Sequence, residues 1–142
     1  MNRQTKPIEE EHQAAVILVV DDEPDIRTFV RLALEDEGYQ VVTAANGREA
    51  LEALRTIEPG LILLDLRMPG MDGSEFVEAY HCRAAQESPP AVPAPIIVLT
   101  ASRVPEDEPG AVGATGVLRK PFAVAQLLER VAQHVRLASG SA

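Results

Sequence analysis

Five side chains stand where apolar runs stop, and their types belong together chemically. VILVV (16–20) stops at Asp21 and Asp22, LILL (61–64) at Asp65 and IIVL (96–99) at Thr100, while GVL (116–118) leads through Arg119 to Lys120 and Pro121. Three carboxylates gathered within a few ångströms repel one another, and their pKa values rise unless a cation neutralises them. Mg²⁺ suits such oxygen-only ligands, since it takes one or two carboxylates together with waters and a substrate phosphate. Lys120 supplies a second, fixed positive charge. At about 4 Å and an effective dielectric near 20, such an ion pair is worth roughly 4 kcal/mol before desolvation, which orients a group but does not replace a metal. Thr100 adds a hydroxyl donor. A carboxylate flanked by Mg²⁺, an ammonium and a hydroxyl is what in-line phosphoryl transfer requires, because catalysis there is positioning plus neutralisation of three equatorial oxygens. Asp65 is therefore cast as the nucleophile. Any one of these aspartates alone reads as a helix cap or turn residue; four matching strand ends outweigh that reading.

For those ends to meet, the apolar runs must lie side by side. Short continuous apolar runs are the pattern of strands covered on both faces of a parallel sheet, and Tyr39 to Ala44 reads as one more strand. Helices fall between them. Pro24 takes a first helical position ahead of Ile26, Phe29, Val30, Ala33 and Leu34, and Gly38 ends that helix. Asn46 with Glu49 opens a second, burying Ala50, Leu51, Leu54 and Ile57, and Asp72 with Glu75 opens a third over Phe76, Val77, Tyr80 and Ala84. Val124, Leu127, Leu128, Val131 and Val135 mark the last. The alternation predicts an α/β fold, a doubly wound five-stranded parallel sheet with helices on both faces and right-handed crossovers. Ligands in such sheets bind beyond the carboxyl ends of the strands. Residues 85–95 hold four prolines and are expected to form a long connection.

The 142 residues, 46% apolar and 25% charged, suit one globular domain. Its expected extent is 15–137, between a flexible N-terminal tail (1–14) and a short C-terminal tail (138–142). With 13 Lys plus Arg against 22 Asp plus Glu, the net charge of −9 repels nucleic-acid backbones and anionic lipid, so neither is expected as a direct partner. Only 4% of residues are aromatic, too few for a base-stacking surface. Cys82 is the single cysteine, which excludes an internal disulfide. No signal peptide and no apolar run of membrane-spanning length is read, so the cytoplasm is the expected compartment.

Taken jointly, VVDDEPDIR, LILLDLRMPGMDG, IIVLTAS and LRKPF resemble the receiver domain of bacterial two-component response regulators, in the family's order across residues 15–137. The resemblance implies a flavodoxin-like sheet of strand order 2-1-3-4-5. It implies that Asp65 accepts phosphate from a phosphohistidine on a sensor histidine kinase or histidine phosphotransfer protein. Asp22 and Asp65 would ligate Mg²⁺ with the backbone carbonyl of Arg67, Asp21 acting partly through water. The Thr100 hydroxyl and Ala101 N–H would meet the phosphoryl oxygens, Lys120 would be their counter-ion, and a cis bond would precede Pro121. The chain is then a phospho-accepting switch with a downstream protein target and no chemistry beyond its own phosphotransfer and dephosphorylation. A stand-alone receiver is expected, because the residues after 137 are too few for an output domain.

The sequence departs from the family pattern in two places. Receivers usually carry Tyr or Phe three residues before the lysine, a ring that turns inward on phosphorylation; here the position is Val117, whose branched side chain has few rotamers and little reach. The stretch between Thr100 and Lys120 is short and contains Pro105, Pro109, Gly110 and Gly113, so residues 103–113 are expected to be irregular or a short mobile helix. Two rivals stay open at this point: a degenerate receiver that binds a partner without phosphorylation, and an aspartyl-phosphate phosphatase. His12, His81, His134 and Cys82 read as surface or packing residues.

Overall fold

Parallel pairing fixes the order of five short strands: β1 (Val16–Val20), β2 (Gln40–Ala44), β3 (Leu61–Asp65), β4 (Ile96–Thr100) and β5 (Gly116–Arg119) lie in the order β2-β1-β3-β4-β5. The computed structural model describes residues 15–101 and 113–136. Among these are four helices, α1 (Pro24–Asp36), α2 (Gly47–Ala53), α3 (Gly73–Ala85) and α4 (Val124–His134). The two tails and the expected irregularity of 103–113 lie outside the described residues, apart from Gly113.

Side chains alternate across a strand, and the two faces of the sheet carry separate cores. Ile17, Val19, Leu61, Leu63, Ile97, Leu99 and Leu118 face Val30 and Leu34 of α1 and Leu127 and Val131 of α4. Leu18, Val20, Ile62, Leu64 and Ile96 face Ala50 of α2 and Phe76 and Val77 of α3. Where both faces are covered, as in the inner strands, no position can be polar until the strand leaves the cover; the edge strand β2 carries exposed Gln40 and Thr43. This is why β1, β3 and β4 read as unbroken apolar runs that end in Asp or Thr.

Local signals set the helix boundaries. Pro24 starts α1. Beyond its last turn Gly38 takes φ +98, and the N–H groups of Gly38 and Tyr39 donate to Glu35 O and Leu34 O, a closure that needs a left-handed residue and suits glycine. Tyr39 is consumed by that closure, so β2 begins one residue later than the apolar pattern suggests. Asn46 Oδ1 accepts the Glu49 N–H at 2.9 Å, and Asp72 and Glu75 form the reciprocal capping box at the start of α3. Helix α2 is shorter than its pattern, since Leu54 and Ile57 pack against the core from just beyond it. On α1, Phe29 lies on the rim and is 39% exposed, its ring 6.2 Å from that of Phe122.

Candidate functional site

Strand register brings the polar ends together. Val20 is level with Leu64, which places Asp21 beside Asp65; Asp65 is level with Leu99, and Thr100 with Arg119. Pleat alternation carries Asp65 on from Leu63 and Lys120 on from Leu118, toward the α1 and α4 face. Asp21 continues the direction of Val19 to the same side. The result is one acidic pocket around one ammonium. Lys120 Nζ lies 2.9 Å from Asp21 Oδ2, 3.6 Å from Asp65 Oδ2 and 3.6 Å from Glu23 Oε1.

The carboxylates differ in surroundings. Asp21 is fully buried, Asp65 is nearly so and Asp22 is exposed, yet one oxygen from each lies within 4.8 Å of the others. Asp65 Oδ1 accepts the Arg67 N–H at 3.1 Å, and Asp21 Oδ1 accepts the Glu23 N–H at 2.9 Å. Burial, helped by the charges of Asp21 and Asp22, pushes the Asp65 carboxyl up to about 6 against the lowering effects of the Arg67 N–H and Lys120. Burial also works against charge on Lys120, but Asp21 first, then Asp65 and Glu23, more than compensate and raise it. Apart from its ion pair with the Lys120 ammonium, the buried Asp21 Oδ2 has no hydrogen-bond partner among the described residues. A buried carboxylate oxygen in this condition, facing two more carboxylates, fits a hard cation with oxygen ligands.

The remaining expected residues are arranged around this pocket. Thr100 is buried at the end of β4, its carbonyl accepting the Lys120 N–H at 3.0 Å. Ala101 is exposed beside it. The Lys120–Pro121 bond is cis. Val117 is buried within β5, level with Val98, and has no ring to turn. Two further residues belong to the site. Glu23 contacts Lys120, and Arg27 Nη1 donates to the Asp21 carbonyl at 2.8 Å. The signal for Arg27 was its place in the first turn of a helix, where a cation opposes the helix dipole and calls for a specific partner. Cavity size does not identify the site: a larger cavity, about 460 Å³, lies at the opposite end of the sheet around Gly60 and Tyr80. A smaller one of about 350 Å³ adjoins Lys120, between Phe29 and Phe122.

Comparison with known proteins decides the family. The model of the response regulator receiver domain matches residues 17–132. The chain belongs to the response regulator receiver family. This receiver is 40% identical over 120 residues to a Leptolyngbya boryana protein named as a 14.6 kDa protein in the sodA1 3′ region, covering 83% of this chain and 88% of that one. It is also 40% identical over 117 residues to the response regulator MprA of Mycolicibacterium vanbaalenii, covering 81% of this chain but only 48% of MprA. Among solved structures, the chemotaxis response regulator CheY4 of Vibrio cholerae is 40% identical with a TM-score of 0.74, covering 87% of this chain and all of that one. TrrA of Thermotoga maritima, solved in complex with Mg²⁺-BeF, is 34% identical with a TM-score of 0.71, covering 85% and 99%. The receiver is thus a signalling switch in two-component regulation, with the expected strand order. No helix among its described residues is long and apolar enough to cross a membrane.

Proposed function

We propose that Asp65 accepts a phosphoryl group from a phosphohistidine of a sensor histidine kinase or phosphotransfer protein, in a Mg²⁺-dependent reaction. The observation that carries this is the meeting of Asp21, Asp22, Asp65 and Lys120 at one rim of the sheet. Asp21, Asp22 and Asp65, with the Arg67 backbone carbonyl, would hold the Mg²⁺. When bound, it supplies positive charge to the carboxylates and the phosphoryl oxygens.

The chain's own groups account for the rest. Asp65 reacts as the carboxylate, the form that a bound cation and the neighbouring Lys120 ammonium both favour. As its oxygen bonds to phosphorus, the phosphorus–nitrogen bond breaks and its electron pair stays on the departing imidazole. Lys120 need only shift its ammonium from Asp21 toward the phosphoryl oxygens. The Thr100 hydroxyl and the Ala101 N–H supply further donors. Burial of Asp65 limits the water that reaches the acyl phosphate. A phosphorylation-independent module is not favoured, since each residue this chemistry uses is present. A phosphatase of the type with its nucleophile on the first strand is not favoured either, because Asp65 ends β3. Without an aromatic side chain at 117, output to a downstream target rests on Thr100 and the loop after it.

Incubation with a small acyl phosphate and Mg²⁺ is expected to add one hydroxylamine-sensitive phosphate per chain, and Asp65→Asn to abolish it. Equal labelling of the variant would refute the assignment.

A further inference from the structure

The turn between β1 and α1 is pinned at three points, all on Asp21. Its N–H donates to Ala44 O at 3.1 Å, its Oδ1 accepts from Glu23 N–H at 2.9 Å, and its carbonyl accepts from Arg27 Nη1 at 2.8 Å. The first two bonds fix the residue's start and its side chain. The third fixes the plane of the Asp21–Asp22 peptide, because a planar peptide turns as one body with its carbonyl. Rotating that plane would swing Asp22 away from Asp65 and carry off the Glu23 N–H that holds the Asp21 carboxylate. Arg27 sits fourth from the start of α1, where unpaired helix N–H groups disfavour a cation, and its charge-assisted bond to the carbonyl offsets that placement.

We propose that Arg27 is a positioning residue for the metal site: it locks the Asp21–Asp22 peptide so that both carboxylates converge with Asp65. This rests on the reading of the acidic cluster as a Mg²⁺ site. The guanidinium has a second, opposite effect, since a positive charge near the cluster by itself repels a dication. The sign of the mutational effect therefore tells positioning from charge. If charge alone mattered, removing it would tighten Mg²⁺ binding. If positioning dominates, removal weakens binding although a repelling charge has gone.

The test uses the full chain titrated with MgCl₂ alone by calorimetry. Arg27→Met keeps the apolar stem and helix propensity but loses donor and charge, whereas Arg27→Lys keeps both in a shorter form. The expected result is roughly tenfold weaker Mg²⁺ binding for Arg27→Met, and recovery to within about threefold of the unsubstituted chain for Arg27→Lys. In the metal-free protein, exchange of the Glu23 amide, which reports the Asp21 turn, is expected to accelerate in Arg27→Met and recover in Arg27→Lys. Equal or tighter Mg²⁺ binding by Arg27→Met would overturn the proposal, as would an unchanged Glu23 amide. If the unsubstituted chain shows no Mg²⁺ uptake that Asp22→Asn removes, the metal site itself falls, and the proposal with it.

Discussion

Replacing Asp65 by Asn in the metal-free protein is expected to stabilise it at neutral pH and to do nothing in acid. In the folded chain, burial and then the neighbouring carboxylates push the Asp65 carboxyl from 3.8 to about 6. The unfolded chain returns it to its ordinary value, so between those two pH values the folded state keeps a proton that the unfolded state has released. Asp65's contribution is therefore fully favourable below about pH 4, is lost as pH rises through 6, and stays lost above, the reverse of a salt-bridged aspartate. At about 1.36 kcal/mol per pH unit, ionised Asp65 costs the metal-free fold on the order of 3 kcal/mol at pH 7. Its side chain is only 7% exposed, so solvent screens little of this. Asparagine has the same shape and no charge. With two tyrosines and no tryptophan, the assay is urea unfolding followed by circular dichroism, in chelator, from pH 4 to 8. The gap between Asp65→Asn and the unsubstituted chain should grow from near zero at pH 4 to roughly 2–3 kcal/mol at pH 7. Parallel curves, with a gap independent of pH, would refute the reasoning. Added Mg²⁺ should then reverse the ranking, since a ligand that binds only the folded state stabilises it by mass action and the asparagine variant would lack one of the proposed carboxylate ligands.

Two further changes probe the same architecture. Lys120→Met removes the ammonium shared by Asp21, Glu23 and Asp65, and is expected to lower stability in chelator at pH 7 by about 3 kcal/mol as buried Asp21 loses its counter-charge. Lys120 is raised above 10.5 in the fold, so its contribution is whole below pH 10.5 and is lost as pH climbs through the raised value; an unchanged urea midpoint at pH 7 would contradict this. Gly60→Ala would drive a Cβ into the Arg136 carbonyl oxygen, where Arg136 N–H meets Gly60 O and Gly60 N–H meets Val16 O. A loss of about 2 kcal/mol is expected from such overpacking, and thermal unfolding at the same midpoint as the unsubstituted chain would show that the approach is looser.

Sequence pattern carried most of the site because the sheet is covered on both faces. A strand buried on both sides admits only apolar residues, so Asp21, Asp65 and Thr100 could be read as strand ends from the sequence itself, and order along the chain then placed them on one rim. Capping chemistry is equally local, which is why Asp72 with Glu75 and Asn46 with Glu49 mark helix starts that the structure reproduces. Contacts that join distant segments left no such trace. Nothing in the spacing of LRKPF says that Lys120 rests nearest to Asp21, or that Glu23 shares it. Phe29 has the helical spacing of a core residue yet lies at the rim, because α1 buries Val30 and Leu34 fully and Phe29 meets Phe122 at the edge of the pocket beside Lys120.

Charge balance explains why the parts of this site depend on one another. Asp21, Asp22, Asp65 and Glu23 against Lys120 and Arg27 leave the cluster two charges short of neutrality, the charge of one divalent cation. In the metal-free fold burial first, and then the charges of Asp21 and Asp22, push the Asp65 carboxyl up to about 6, and Lys120 lies nearest the most buried carboxylate, Asp21. Phosphorylation of Asp65, as proposed, would turn its single charge into roughly two and add acceptor oxygens, increasing the deficit and giving Lys120 a stronger attraction than Asp21 offers. On that proposal, the movement of one ammonium between two neighbouring strand ends would report phosphorylation without an aromatic ring at 117. Its source and its destination both lie within this rim, and β5, which Lys120 directly follows, pairs with β4, whose end carries Thr100.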